Sequence, residues 1–263
     1  MRSLNRLTGQ AKLDPNEVRS RSRGLPTLTS EANEHAMSEP PTPGREVNGQ
    51  APSAPGGHDA APSNVVIALR PAAAELEPAP LAVAELAEAC VRFVRAAVGV
   101  SLDFRPETLP LLDHYLATRR EELLAARTAN PEALGLVARA AGGYFGEVVR
   151  GHFRAFWHLP SDDPARWELR FESVYLSVNP MAVVYDAISH GDEQGPIAYL
   201  ELEDEDREAV AARLAELPPA SDEEFFSLAT RLEVLEIAVD VIKARMMGAG
   251  LGEVGFSSED YES

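Results

Sequence analysis

The chain has 263 residues with 42 acidic and 24 basic side chains, a net charge of −18, and one cysteine. A single cysteine, Cys90, excludes an internal disulfide framework and a multi-cysteine zinc site. The acidic balance argues against non-specific nucleic-acid binding, which needs Lys and Arg against phosphate, and against anionic membrane surfaces.

No apolar run approaches the roughly 20 residues of a membrane span. The opening MRSLNRLTGQAKLDPNEVRS lacks the apolar core of a secretory signal. The expectation is a cytoplasmic protein with no nucleic-acid and no membrane partner. Charge is uneven: residues 1–64 carry 7 acids and 7 bases, residues 65–191 carry 16 and 12, and residues 192–263 carry 19 and 5. The acidity therefore belongs to the C-terminal third.

Residues 1–64 read as a disordered arm. Ser38–Ser63 is rich in Pro, Gly, Ala and Ser and almost free of large apolar side chains, too little to offset the entropy of ordering. Met37 offers a second start site beside Met1. A single domain is expected over 65–247, opening with a strand-like VVIAL at 65–69.

LAVAELAEACVRFVRAAV (81–98) places Leu81, Leu86, Cys90, Val91, Val94 and Val98 at helical spacing, with Gly99 as its stop. A second helix starts near Pro106, with Leu109, Leu112, Leu116 and Leu123 on one side and Pro110 confined to the first turn. A third runs from about 131 to 150, with Leu134, Val137, Ala141, Tyr144 and Val148 on one face.

The period then changes. HFRAFWHL (152–159) and WELRFESVYLSV (167–178) alternate as two strands of an antiparallel hairpin, with a phase change after Ser173 that predicts a bulge or a strand covered on both faces. Asn179-Pro180 starts a short helix ending at Gly191, and IAYLEL (197–202) gives a third strand. DEDREAVAARLAEL (204–217) forms a helix stopped by Pro218-Pro219.

Ser221 with Glu224 matches a capping box and opens a helix of about 26 residues, to Met247. Its apolar residues, from Phe225 through Leu235 to Met246, follow alternating spacings of 3 and 4 and predict a core helix, with a homodimer through 221–247 as the other use of such a stripe. Residues 248–263 read as an acidic mobile tail. The fold class is α+β: a mostly helical single domain with a small three-stranded antiparallel sheet and a long C-terminal helix.

Chemistry-bearing patterns are few. The sequence has no phosphate-binding glycine loop, nucleophile elbow, HExxH or CxxC. Three glycines in GGYFGEV (142–148) cost a helix about 1 kcal/mol each relative to alanine, so they point to close packing or to a ligand approaching the backbone. His114, His152, His158 and His190 include no short-range ligand pair, although His152 and His158 would share a strand face. Glu147 and Arg150 stand at helical ion-pair spacing, with His152 close by as a potential acid or base. Tyr144, Phe145, Phe153, Phe156, Trp157 and Trp167 form an aromatic group that can build a core, a pocket or an interface.

Gly143, Tyr144, Gly146, Glu147, Val148, Trp157, Asn179 and Pro180 give a GxYxGEV-like helix, a Trp-containing hairpin and an Asn-Pro step. In these features residues 100–245 resemble a family of uncharacterised bacterial proteins. The resemblance implies no established activity and carries over no catalytic residue.

The leading expectation is a non-enzymatic protein-interaction domain, binding a basic partner through its acidic C-terminal third. The alternative is small-molecule binding or catalysis in a cleft between helix 131–150 and hairpin 152–178, with Tyr144, Glu147, Arg150, His152 and Trp157 as binding residues. No metal and no cofactor is called for.

Overall fold

Residues 77–127, 129–191, 198 and 200–262 are described by the computed structural model. The arm at 1–64 and the strand at 65–69 lie outside them. Seven α-helices among the described residues are α1 (Leu81–Val98), α2 (Leu109–Ala126), α3 (Pro131–His152), α4 (Pro180–Ser189), α5 (Asp204–Ala215), α6 (Asp222–Phe226) and α7 (Leu228–Gly248). The strands are β1 (Ala155–His158), β2 (Glu168–Phe171), β3 (Ser177–Val178) and β4 (Leu200–Glu201).

The fold is α+β and mostly helical with a long C-terminal helix, as the periodicities predict, but the sheet has four strands rather than three. They form an antiparallel sheet in the order β1-β2-β3-β4, with Trp157 opposite Leu169, Leu169 opposite Val178, and Val178 opposite Leu200. The extra strand explains the phase change after Ser173. The segment 167–178 is two strands, reversed by a turn in which Phe171 N–H donates to Leu176 O at 3.0 Å.

Among the described residues α3 is the central element, packing against α1, α2, α4 and β1. From Ala140 to Val149 nearly every side chain is buried, Tyr144, Phe145, Val148 and Val149 among them. The glycines make that density possible. A Cβ on Gly142 would lie 2.7 Å from Met181 Cα on α4, and one on Gly143 would lie 3.2 Å from Ala87 N on α1. The first contact is closer than real Cβ atoms come and the second is tighter than most, so the glycine-rich stretch serves the approach of α4 and α1. On α1 the expected Cys90 and Val94 face inward, joined by Val83 and Ala87, while Leu81 is exposed.

The helix predicted from Ser221 to Met247 is broken at Ser227. The capping box forms as predicted on α6, with Glu224 also accepting from Ser221 N–H at 2.9 Å. Ser227 then caps a new helix through Thr230 N–H, and Asp113 on α2 accepts from Leu228 N–H (2.7 Å) and Ala229 N–H (3.2 Å). A carboxylate 115 residues upstream thus supplies the second helix start, satisfying donors that a free helix N-terminus leaves open. Beyond this break α7 buries Leu228, Leu232, Leu235, Val239 and Ile242, so the predicted stripe does face the core.

The C-terminal residues, expected to be mobile, instead pack on the β2–β3 turn. Phe256 N–H donates to Glu172 O at 2.7 Å, and a 3-10 turn at Ser258–Tyr261 brings in Tyr261. The Tyr261 hydroxyl accepts from Leu176 N–H (3.1 Å) and faces the carbonyl oxygens of Phe171 (2.8 Å), Val174 (3.1 Å) and Leu176 (3.0 Å). Aromatic packing and backbone groups left open by the turn hold this segment, so acidity does not keep it free.

Candidate functional site

α3 and β1 bring Glu147, Arg150 and Trp157 together. The helix ends at His152 because the chain becomes extended at Phe153, which returns β1 alongside the last turns of α3. Gly146 makes the contact possible: a Cβ there would overlap the six-membered ring of Trp157 and approach Pro180 Cγ to 3.1 Å. With the indole against the bare helix, Trp157 Nε1–H donates to Glu147 Oε1 at 2.7 Å. Arg150 donates through Nε to the same oxygen (2.9 Å) and through Nη2 to Oε2 (2.7 Å).

The Glu147 and Arg150 side chains are only 13 % and 12 % exposed. The third guanidinium contact runs from Nη1 to the carbonyl of Glu77 at 2.7 Å, tying the chain that enters α1 to the end of α3. A carboxylate holding three donors, two in a bidentate pair, is anchored by charge-assisted bonds. Chemically, this trio is a clamp joining α3, β1 and the entry to α1.

The other two candidate residues lie elsewhere. Tyr144 is fully buried and directs its hydroxyl to the loop before α2, accepting from Phe104 N–H at 3.0 Å and pairing with Thr108 Oγ1 at 2.6 Å. Burial raises its pKa, partly countered by the Thr108 and Phe104 bonds. The bond to Phe104 holds a bulky residue at φ 63°, a left-handed conformation that costs on the order of 1 kcal/mol or more. His152 closes α3 rather than sharing a strand with His158, and pairs with Glu236 on α7 at 2.7 Å at a partly exposed site.

His114, His158 and His190 lie on α2, on β1 and at the left-handed cap of α4. His190 stacks on Phe226 at 4.7 Å, and burial, reinforced by Arg120, lowers its pKa. No group of three or more His, Cys, Asp or Glu side chains suited to a metal ion occurs among the described residues. The aromatic group splits as well. Phe145 is in the main core, Phe153 meets Phe171 at 5.2 Å, and Trp157 and Trp167 pack with Val83 and Met181 in a smaller cluster.

Two arginines, Arg170 and Arg231, are buried where the sequence patterns do not place them. Arg231 on α7 donates to Asp186 on α4 at 2.7 Å and lies 4.3 Å from the Phe225 ring centroid. Burial pushes its pKa down to about 10 against the opposing pull of Asp186. Its signal was a lone cation beside Leu228 and Leu232 in an apolar stripe. Arg170 on β2 is 8 % exposed, donates to Glu168 at 3.3 Å and lies under the Tyr261 ring, 5.2 Å from its centroid. No sequence pattern marks it, because alternation places it on the solvent side and the tail that covers it is distant in sequence.

The chain matches no protein-family model, no curated protein and no solved structure. No helix among the described residues is long and apolar enough to cross a membrane.

Proposed function

We propose that this chain is a non-enzymatic, cytoplasmic interaction module whose acidic C-terminal third, residues 192–263, captures a basic partner protein. The observation that carries this reading is how that third uses its few cations. Of its five basic residues, Arg207 donates to the Leu200 and Leu202 carbonyls, Arg213 pairs with Glu216, Arg231 with Asp186, and Arg245 with Glu205 and Asp206. Those four cations are held within the chain, and among the described residues Lys243 shows none of these pairings.

The acids meanwhile stand outward. Glu203, Glu208, Asp222, Glu223, Glu233 and Asp240 are exposed on or beside α5, α6 and α7. A field of one sign raises the encounter rate with an oppositely charged partner and opposes nucleic acid. The division of the five proposed binding residues among a clamp, a loop anchor and a surface ion pair also favours an interaction surface over a cleft.

The test is affinity capture with the full chain against a variant carrying Glu203→Gln, Glu208→Gln, Glu233→Gln and Asp240→Asn. Retention of a basic protein by the wild type, lost in the variant and in high salt, is the expected result. Retention of the same partner at equal yield by both chains would overturn the reading.

A further inference from the structure

Phe156, Arg170, Ser177 and Glu201 stand opposite one another across the sheet, one from each strand. Alternation sends their neighbours Leu169, Val178 and Leu200 into the core and leaves this row on the other face. Arg170 is nevertheless nine-tenths buried, and its Nε and Nη1 have no hydrogen-bond partner. A buried donor without an acceptor carries its full desolvation cost.

The carboxylates around it are committed elsewhere. Glu168 takes only Nη2, at 3.3 Å, while Glu172 accepts from Arg154 at 2.9 Å and Glu201 from the Ser177 hydroxyl at 3.1 Å. Asp260, next to Tyr261 in the chain, accepts from Ser257 N–H at 2.7 Å, and Glu262 is exposed.

What lies over the guanidinium is the Tyr261 ring, its centroid 5.2 Å away. That ring stacks on Tyr175 at 4.6 Å, meets Phe156 edge-on at 6.0 Å, and sets its hydroxyl among Leu176 N–H and the carbonyl oxygens of the turn. The segment carrying it joins α7 through Ala249–Gly255, which is exposed throughout. The tail thus brings a ring and a hydroxyl to this place and no acceptor for Arg170. It fills the position of a ligand incompletely.

We propose that the C-terminal segment is a displaceable cover over a binding site for a small aromatic carboxylate, whose ring takes the seat of Tyr261 and whose carboxylate takes the Arg170 donors that Tyr261 leaves open. The charge-assisted bond to Arg170 is what the ligand gains over the tail. The tail competes from within the chain at an effective concentration of the order of 1 mM. A cover shut about nine-tenths of the time or more raises the apparent dissociation constant at least tenfold. This proposal does not rest on the capture of a basic partner.

The experiment is a proton–nitrogen NMR titration of the full chain with N-acetyltyrosine up to about 10 mM, tenfold above the effective concentration of the tail. The Tyr261→Ala chain is expected to show saturable shifts at the Leu176 amide and at Arg170 Nε–H, with an affinity about tenfold or more above that of the wild type. N-acetyltyrosine amide, which lacks the carboxylate, should bind that chain about tenfold or more weakly, and so should N-acetyltyrosine when Arg170→Gln is added. Equal binding of acid and amide, binding that survives Arg170→Gln, equal affinity for wild type and Tyr261→Ala, or no shift in a folded Tyr261→Ala chain would each overturn the proposal.

Should Tyr261→Ala fail to fold, the wild type carries the test at about 50 mM N-acetyltyrosine, well above the effective concentration of the tail. The Phe256 and Tyr261 amides should move toward their positions in a free peptide of residues 255–262 as Arg170 Nε–H shifts. Tail amides that stay in place would overturn the proposal.

Discussion

Gly146→Ala tests the packing logic of α3 in one step. A methyl group at 146 falls on the Cζ2–Cη2 edge of Trp157 and comes within 3.1 Å of Pro180 Cγ. The indole cannot move aside freely, because its N–H is bonded to Glu147 at 2.7 Å and its ring packs in the Val83–Trp167–Met181 cluster. Overpacking costs about 1–3 kcal/mol, and losing a hydrogen bond to a charged acceptor costs about 1.5–3 kcal/mol. Replacing a mid-helix glycine returns about 1 kcal/mol.

The net is a destabilisation of about 1.5–5 kcal/mol, or a fall in Tm of about 3–20 °C for a domain of this size. Gly151→Ala on the same helix is the control. A Cβ there meets no atom within 4 Å, so only the propensity gain remains, up to about 1 kcal/mol and smaller near the helix end. Urea unfolding followed by far-ultraviolet circular dichroism reads both. Equal stabilisation by the two substitutions would refute the claim that Gly146 exists to seat Trp157.

Tyr144→Phe removes the acceptor for Phe104 N–H and the partner of Thr108, and should cost about 1–3 kcal/mol. Hydrogen exchange should localise the added opening to residues 103–108, and an unchanged loop would contradict the anchor role. Burial raises the Asp113 pKa above its ordinary 3.8 despite two backbone bonds, so the native state holds this proton where the unfolded chain has released it. Stability from this group is full at low pH and falls as pH rises from about 4 through the native pKa. The cost of Asp113→Asn should therefore be greater at the acid end of that window and smaller above it, and a pH-independent difference in unfolding free energy would contradict the assignment. Burial pushes the Cys90 thiol up to about 12, so alkylation should proceed only at the rate of unfolding, and rapid labelling of the native protein would show that α1 is not packed as described.

The parts of the fold legible in the sequence are those set by neighbours in the chain. α1 begins and ends where its periodicity and Gly99 place it, Asn179 caps α4 through Ala182 N–H, and the Ser221–Glu224 box forms. Three of the differences share one physical origin, a partner distant in sequence. The break at Ser227 depends on Asp113, the docking of the tail depends on groups exposed by the β2–β3 turn, and the burial of Arg170 depends on that tail. The site shows the same division. The Glu147–Arg150 pair is local and was legible, whereas the Trp157 bond that completes the clamp and the turning of Tyr144 toward Phe104 are set by tertiary packing.

The reading of the acidic third as the working surface is tested most directly by the association rate of the captured basic partner as a function of ionic strength. The account predicts a rate that falls steeply between about 20 and 500 mM salt, as the Debye length shortens from about 20 Å to a few ångströms. The slope should flatten in the chain carrying Glu203→Gln, Glu208→Gln, Glu233→Gln and Asp240→Asn. Neutralising the exposed Glu88 and Glu121 outside that third should leave the slope near the wild-type value. A salt-independent rate, or equal flattening in both variants, would contradict it.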